Sequence, residues 1–145
     1  MWGRSREGVD AAERRHPRLK FVCCEFEAGW LAHVLQRLDH ATYRAREEAS
    51  PDLPMPPIAY FRRQFRATFE DDQLGVMTRH AIGVDNLMWG NDYPHHDSIW
   101  PHSQEVLDRI FQGVPAEEKY KMTNENVRKL YGITLPPEVA RTASH

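Results

Sequence analysis

The stretch "NLMWGNDYPHHDSIWPHS", residues 86–103, sets a short apolar run, Leu87, Met88 and Trp89, against a glycine, then an aspartate, a proline and three histidines. An apolar run bounded by such a turn signal predicts a buried strand ending at Gly90. In parallel α/β sheets, functional groups gather at the C-terminal ends of strands and in the loops that follow. Asp92 stands at such an end. Spacing alone leaves two readings open. "NDYP" is an ordinary turn signal in which Asp92 shapes its own loop. A carboxylate there can equally bind a divalent metal or act as a general base.

The histidines are less informative. His95 and His96 are adjacent and His102 lies further on, and neither spacing puts two imidazoles on one face of a strand or helix. A loop can still converge Asp92, His95, Asp97 and His102 on a metal, so a self-contained site competes with plain loop-shaping roles. His16, His33, His40, His80 and His145 read as loop or helix-surface residues.

Outward from this stretch the chain alternates strands and helices. "LKFVCCEF" (19–26) is a nearly continuous apolar run, a strand buried on both faces, with Glu25 and Glu27 closing it. Trp30, Leu31, Val34, Leu35 and Leu38 form one stripe, which predicts a helix over 29–47. "SPDLPMPP" is an extended connector, because its prolines exclude regular structure. "IAYFRRQF" and "FRATFED" overlap at Phe65 and predict a short helix turning into a short strand. "DDQLGVMTRHAIG" predicts a helix between Asp71 or Asp72 as N-cap and Gly83 as stop. Pro101 suits the first position of the next helix, whose stripe is Val106, Leu107, Ile110 and Phe111. Thr123 is placed to cap "NENVRKLY", which Gly132 ends.

This order predicts an α/β fold with a parallel sheet covered by helices. Three strands with helices on one side leave the other face bare. A fragment, or a chain completed by a partner, is the expectation.

The chain of 145 residues is one domain long, and its 41% hydrophobic and 28% charged residues suit a globular protein. A net charge of −2 gives no electrostatic case for nucleic acid or a membrane surface. The arginine groups in "ERRHPRLK" and "FRRQFR" have acids close by and read as solvated surface. No apolar run approaches a membrane span, and the N-terminus lacks a signal core. Adjacent Cys23 and Cys24 point to opposite faces of a strand and read as small core residues of a reducing compartment, with cytoplasm the default. Nucleophile-elbow and phosphate-loop motifs are absent.

"NLMWGNDYPHHDSIWPHS" followed by "KMTNENVRKLYGI" closely resembles the C-terminal part of the amidohydrolase-related proteins, the branch containing aminocarboxymuconate-semialdehyde decarboxylase-like enzymes. "HPRLKFVCCEFEAGWLAHVLQRLD" and "FRRQFRATFEDDQLGV" resemble the preceding segments. The likeness runs over 15–133, between a polar segment 1–14 and a loose tail 134–145. It implies part of a (β/α)8 barrel, its last three strand–helix units plus a C-terminal helix, with a metal site at the barrel mouth. On that resemblance Asp92 matches the last-strand aspartate, a metal ligand or proton acceptor for metal-bound water. Glu25 stands where many members carry an acid–base histidine, which leaves hydrolysis and non-oxidative decarboxylation both open. The implied cofactor is a divalent metal, zinc in particular, and the implied substrate a small carboxylated ring or unsaturated acid. The His-x-His pair and the fifth-strand histidine of the family have no counterpart here. The chain alone is therefore expected to be inactive, and to be a fragment, a module docking to a complementary N-terminal half, a homo-oligomer or an inactive remnant.

Overall fold

A computed structural model describes residues 16–47 and 55–136 of the chain. The N-terminal segment, most of the proline-rich connector and the end of the tail lie outside the described residues. Strands β1 (Phe21–Cys23), β2 (Phe65–Phe69) and β3 (Leu87–Trp89) form one parallel sheet in the order β1-β2-β3. Side chains alternate along β2: Phe65, Ala67 and Phe69 join the core with Cys23, Leu87 and Trp89. Arg66 and Thr68, with their register partners Val22 and Met88, belong to the opposite face.

Helices cover the first face. Helix α1 (Gly29–Glu47) spans the predicted range and buries Leu31 and Leu35. Helix α2 (Pro57–Gln64) starts on the fixed φ of its prolines and runs directly into β2, as the overlap at Phe65 predicts. Helix α5 (Ser103–Ile110) and Phe111 close the core beside Phe69, with the two rings 6.2 Å apart. Fully burying side chains of this size contributes roughly 1.5–3 kcal/mol each before entropy is counted. No helix among the described residues is long and apolar enough to cross a membrane.

Several local expectations are corrected. The first strand is shorter than 19–26, because after Cys23 the backbone turns through left-handed φ at Glu25 and Glu27. The segment after Asp72 is two short helices, α3 (Gln73–Met77) and α4 (Arg79–Ile82), broken at Thr78, whose hydroxyl donates to the Leu74 carbonyl at 2.7 Å. Pro101 is not helical. It lies in a turn closed by the His102 N–H donating to Ile99 O (2.8 Å), and His102 becomes the N-cap. Thr123 caps nothing: α6 (Ala116–Tyr120) continues through a wide π turn (Lys121–Glu125) into α7 (Asn126–Tyr131), and the Thr123 hydroxyl donates to Lys119 O at 2.8 Å. Gly132 ends the run in the left-handed conformation. Cys23 is half-buried against the core as read, but Cys24 is exposed, and both thiols are free.

Three buried polar side chains fasten these pieces. Asp72 accepts from the backbone N–H groups of Ala28 (2.7 Å), Gly29 (2.6 Å) and Gly75 (2.7 Å), so it caps α1 and α3 together. Asn86 donates to the carbonyls of Arg62 (2.9 Å) and Phe65 (2.8 Å). Asn126 donates to those of Val84 and Leu87, both at 2.8 Å, tying α7 to the start of β3.

Candidate metal centre

All three strands end on the same side of the sheet, and an acid follows each: Glu25 and Glu27 after β1, Glu70 after β2, Asp92 after β3. Glu25 (φ 62), Glu27 (φ 51) and Asp92 (φ 54) are the non-glycine residues with left-handed backbone among the described residues. That conformation costs an L residue roughly 1–2 kcal/mol. The strain is concentrated at one end of the sheet, as at ligand-binding ends of other folds.

The turn after β3 holds Asp92 firmly. The His95 N–H donates to the Asp92 carbonyl (2.8 Å), and the Ser98 hydroxyl donates to the Asn91 carbonyl (2.6 Å). The Asp92 carboxylate is 20% exposed, and its Oδ2 lies 2.8 Å from His95 Nδ1. Glu25 reaches the same ring from β1, with Oε1 at 3.4 Å, while its N–H donates to Thr68 Oγ1 of β2 at 3.4 Å. One donor atom each of Glu25, Asp92 and His95 lie within 4.8 Å of one another. The two carboxylates suit a divalent ion such as manganese or zinc, and the imidazole is their hydrogen-bonding neighbour. The residues present therefore fit one side of a metal site.

Electrostatics at this end is dominated by crowded acids. Burial, then the charges of Asp92, Glu27, Asp97 and Glu25, push the Glu70 carboxyl up to about 7. Burial also raises Glu27, although its Oε2 accepts the Glu70 N–H at 3.0 Å. The hydrogen bond to Asp92, then the charges of Asp92 and Glu25, raise the His95 imidazole above its ordinary value. Trp89 Nε1 donates to the Glu70 carbonyl (3.1 Å) and fixes the end of β2 against β3. Tyr93 and Trp100, both mostly exposed, meet edge to face at 5.9 Å on the same loop.

The structure thus brings Glu25 and Asp92 together, as the two sequence positions require if they share a site. The self-contained quartet of Asp92, His95, Asp97 and His102 does not form. His102 turns to Glu105 (3.4 Å), and neither Asp97 nor His102 belongs to a three-donor group among the described residues. His95 is more than a loop-shaping residue, since its ring spans the ends of β1 and β3. Glu70 carried no sequence prediction, yet its signal was available: it follows the "FRATF" strand as Asp92 follows "NLMWG".

Solved structures share this arrangement of strands and helices. The 5-carboxyvanillate decarboxylase of Sphingomonas paucimobilis superposes with a TM-score of 0.71 at 24% identity, over 89% of this chain and 38% of that one. An amidohydrolase of Mycobacterium avium subsp. paratuberculosis gives 0.66 at 24% identity, over 86% and 31%. A dihydroxybenzoic acid decarboxylase of Polaromonas, solved with manganese and the inhibitor 2-nitroresorcinol, gives 0.67 at 18% identity, over 86% and 37%. The fold is a partial barrel of that kind, and the chain spans just over a third of the length of the first of these structures. No curated protein matches the sequence at a significant level. The amidohydrolase family model, by contrast, matches residues 6–133, and with the three-unit fold and the acids at its strand ends this chain belongs to the amidohydrolase family.

Proposed function

We propose that the chain forms the last-strand side of the metal site in a metal-dependent amidohydrolase-family enzyme. The reaction is hydrolysis or non-oxidative decarboxylation of a small carboxylated ring or unsaturated acid. One observation carries the reading: the partly buried Asp92 carboxylate sits just past β3, facing Glu25 of β1 across His95. Asp92 would hold the ion. Zinc is the metal the family resemblance suggests, and manganese, bound by the Polaromonas relative, suits the same oxygen donors. A bound divalent ion polarises a substrate oxygen and lowers the pKa of coordinated water.

Around Asp92 the chain's own residues handle protons and orientation. Glu25, with a side chain 60% exposed, can give or take a proton at a carboxylate oxygen beside the substrate. Glu70, whose carboxyl is pushed up to about 7 by burial and the neighbouring carboxylates in the metal-free chain, is a further group able to hold a proton beside the site.

The remaining ligands would come from strands beyond β1 and β3, in the same polypeptide or a second one. Both strands pair on one side only among the described residues. The same open edges favour the second reading, a non-catalytic module that docks to a complementary half.

The protein, alone and mixed with a polypeptide carrying the other five barrel units, is to be assayed with Mn²⁺ or Zn²⁺. Carbon dioxide release from hydroxybenzoic and unsaturated acids, and hydrolysis of related amides and lactones, are followed. Turnover in the mixture that disappears in Asp92→Ala is expected. Assembly without turnover selects the docking reading, and turnover indifferent to chelator and to Asp92→Ala removes the metal reading.

A further inference from the structure

We propose that His95 is a positioning residue that fastens the carboxylates of Glu25 and Asp92 into one site. An ionised carboxylate can only accept a hydrogen bond, so at 2.8 Å from Asp92 Oδ2 the proton of that contact belongs to His95 Nδ1. The distance is that of a charge-assisted bond. Glu25 Oε1 lies 3.4 Å from the same nitrogen, within ion-pair distance, and is drawn to it by charge and not by a second hydrogen bond.

The ring is well anchored for this task. The His95 backbone N–H donates to the Asp92 carbonyl (2.8 Å), and the His95 carbonyl accepts the Ser98 N–H (3.2 Å), so imidazole and carboxylate belong to one closed turn. Without the ring, Glu25 and Asp92 are like charges at the ends of the two outer strands, next to Glu70. Nothing else among the described contacts joins the two carboxyl groups. A second consequence follows for the tautomer. In the neutral ring Nδ1 carries the hydrogen and Nε2 does not, the reverse of the commoner form.

For a metal ligand, such an outer partner fixes the carboxylate's orientation, and losing it typically costs 10–100-fold in metal affinity. That half of the inference rests on the metal reading above; the clamp and its tautomer do not.

Two measurements on the full chain separate these. Long-range ¹H–¹⁵N spectra of histidine-labelled protein, in alkaline solution where the ring is neutral, identify His95 by its absence in His95→Phe. The Nδ1–H form is expected in the wild type, with a change to Nε2–H in Asp92→Ala. A wild-type Nε2–H ring, or no change in Asp92→Ala, overturns the clamp. In the second, Mn²⁺ is titrated while the amide signals of Gly90 and Tyr93 broaden. His95→Phe, a tolerable change at a 60%-exposed side chain, should raise the Mn²⁺ needed by roughly 10-fold or more. His95→Asn, which keeps a donor near the position of Nδ1, should stay within about 3-fold of wild type, a small part of that 10–100-fold range. An unchanged His95→Phe overturns the positioning role. Equal damage from both variants also overturns it, because the ring itself would then be a ligand. If the wild type shows no Mn²⁺ broadening, the effect on metal affinity is overturned for this chain by itself, and the tautomer alone decides the clamp.

Discussion

Asp72 and Gly75 are fitted to each other: Asp72 Oδ1 accepts the Gly75 N–H at 2.7 Å, and a Cβ on Gly75 would stand 2.5 Å from Asp72 Oδ2. The same Oδ2 caps α1 through Ala28 and Gly29. Removing the carboxylate leaves three N–H groups without it, two of them in buried contacts. Asp72→Ala should cost about 2–4 kcal/mol and Asp72→Asn roughly half of that. Gly75→Ala should cost about 1–3 kcal/mol by pushing the carboxylate off α1. In the double variant Asp72→Ala/Gly75→Ala the clash is gone, so urea melts should show a loss smaller than the sum.

Asn126 acts only as a donor pair toward Val84 O and Leu87 O. Asn126→Asp replaces the donor by an acceptor facing two carbonyls in a buried setting. A loss of about 3–5 kcal/mol is expected, against about 1–3 kcal/mol for Asn126→Leu. Equal losses in denaturant melts would mean that side-chain volume, not donation, holds α7 to β3.

Glu70 should make stability fall as pH rises. Its carboxyl is raised from the ordinary 4.5 to about 7, first by burial and then by Asp92, Glu27, Asp97 and Glu25. The folded state therefore binds the proton more tightly than the unfolded state. Its contribution is present below pH 4.5 and is lost as pH rises through 7. Glu70→Gln removes that dependence. Its melting midpoint at pH 8 should exceed the wild type's by roughly 2–4 °C, and the two should converge near pH 4. A wild-type midpoint equally high at pH 5 and pH 8 in the absence of metal would refute this.

The sheet's open edges should make the protein associate. Strands β1 and β3 each pair on one side only among the described residues, and Phe26, Trp30, Tyr93 and Trp100 are exposed large aromatics near the strand ends. Sedimentation at tens of micromolar is expected to show species larger than one chain, and Val22→Lys to reduce them, since charge on an edge strand opposes pairing. A monodisperse monomer with a sharp cooperative melt would contradict it.

The readable parts of the fold were those with a local cause. The stripe from Trp30 to Leu38 marked α1, the shared Phe65 marked the passage from α2 to β2, and Asp72 and Gly83 bracketed the helical segment between them. Thr123 was misread because "TNENVRKLY" is a good cap pattern locally, while packing of Met122 into the core keeps the helix running through it. Pro101 was misread for a related reason: a turn closed by Ile99 and His102 places it before the helix.

By itself the sequence determined the order of strands and helices, the resemblance to the amidohydrolases and the place of Asp92 at the end of the last strand. These depend on periodicity, turn chemistry and a contiguous motif, all carried by neighbouring residues. Only the tertiary structure decided that Glu25, Glu70 and Asp92 crowd one end of the sheet, and that His95, not His102, joins them. That convergence depends on the parallel register of β1, β2 and β3 and on the path of the loop after Gly90. Both are set by packing between segments far apart in the chain, which spacing within any one segment does not encode.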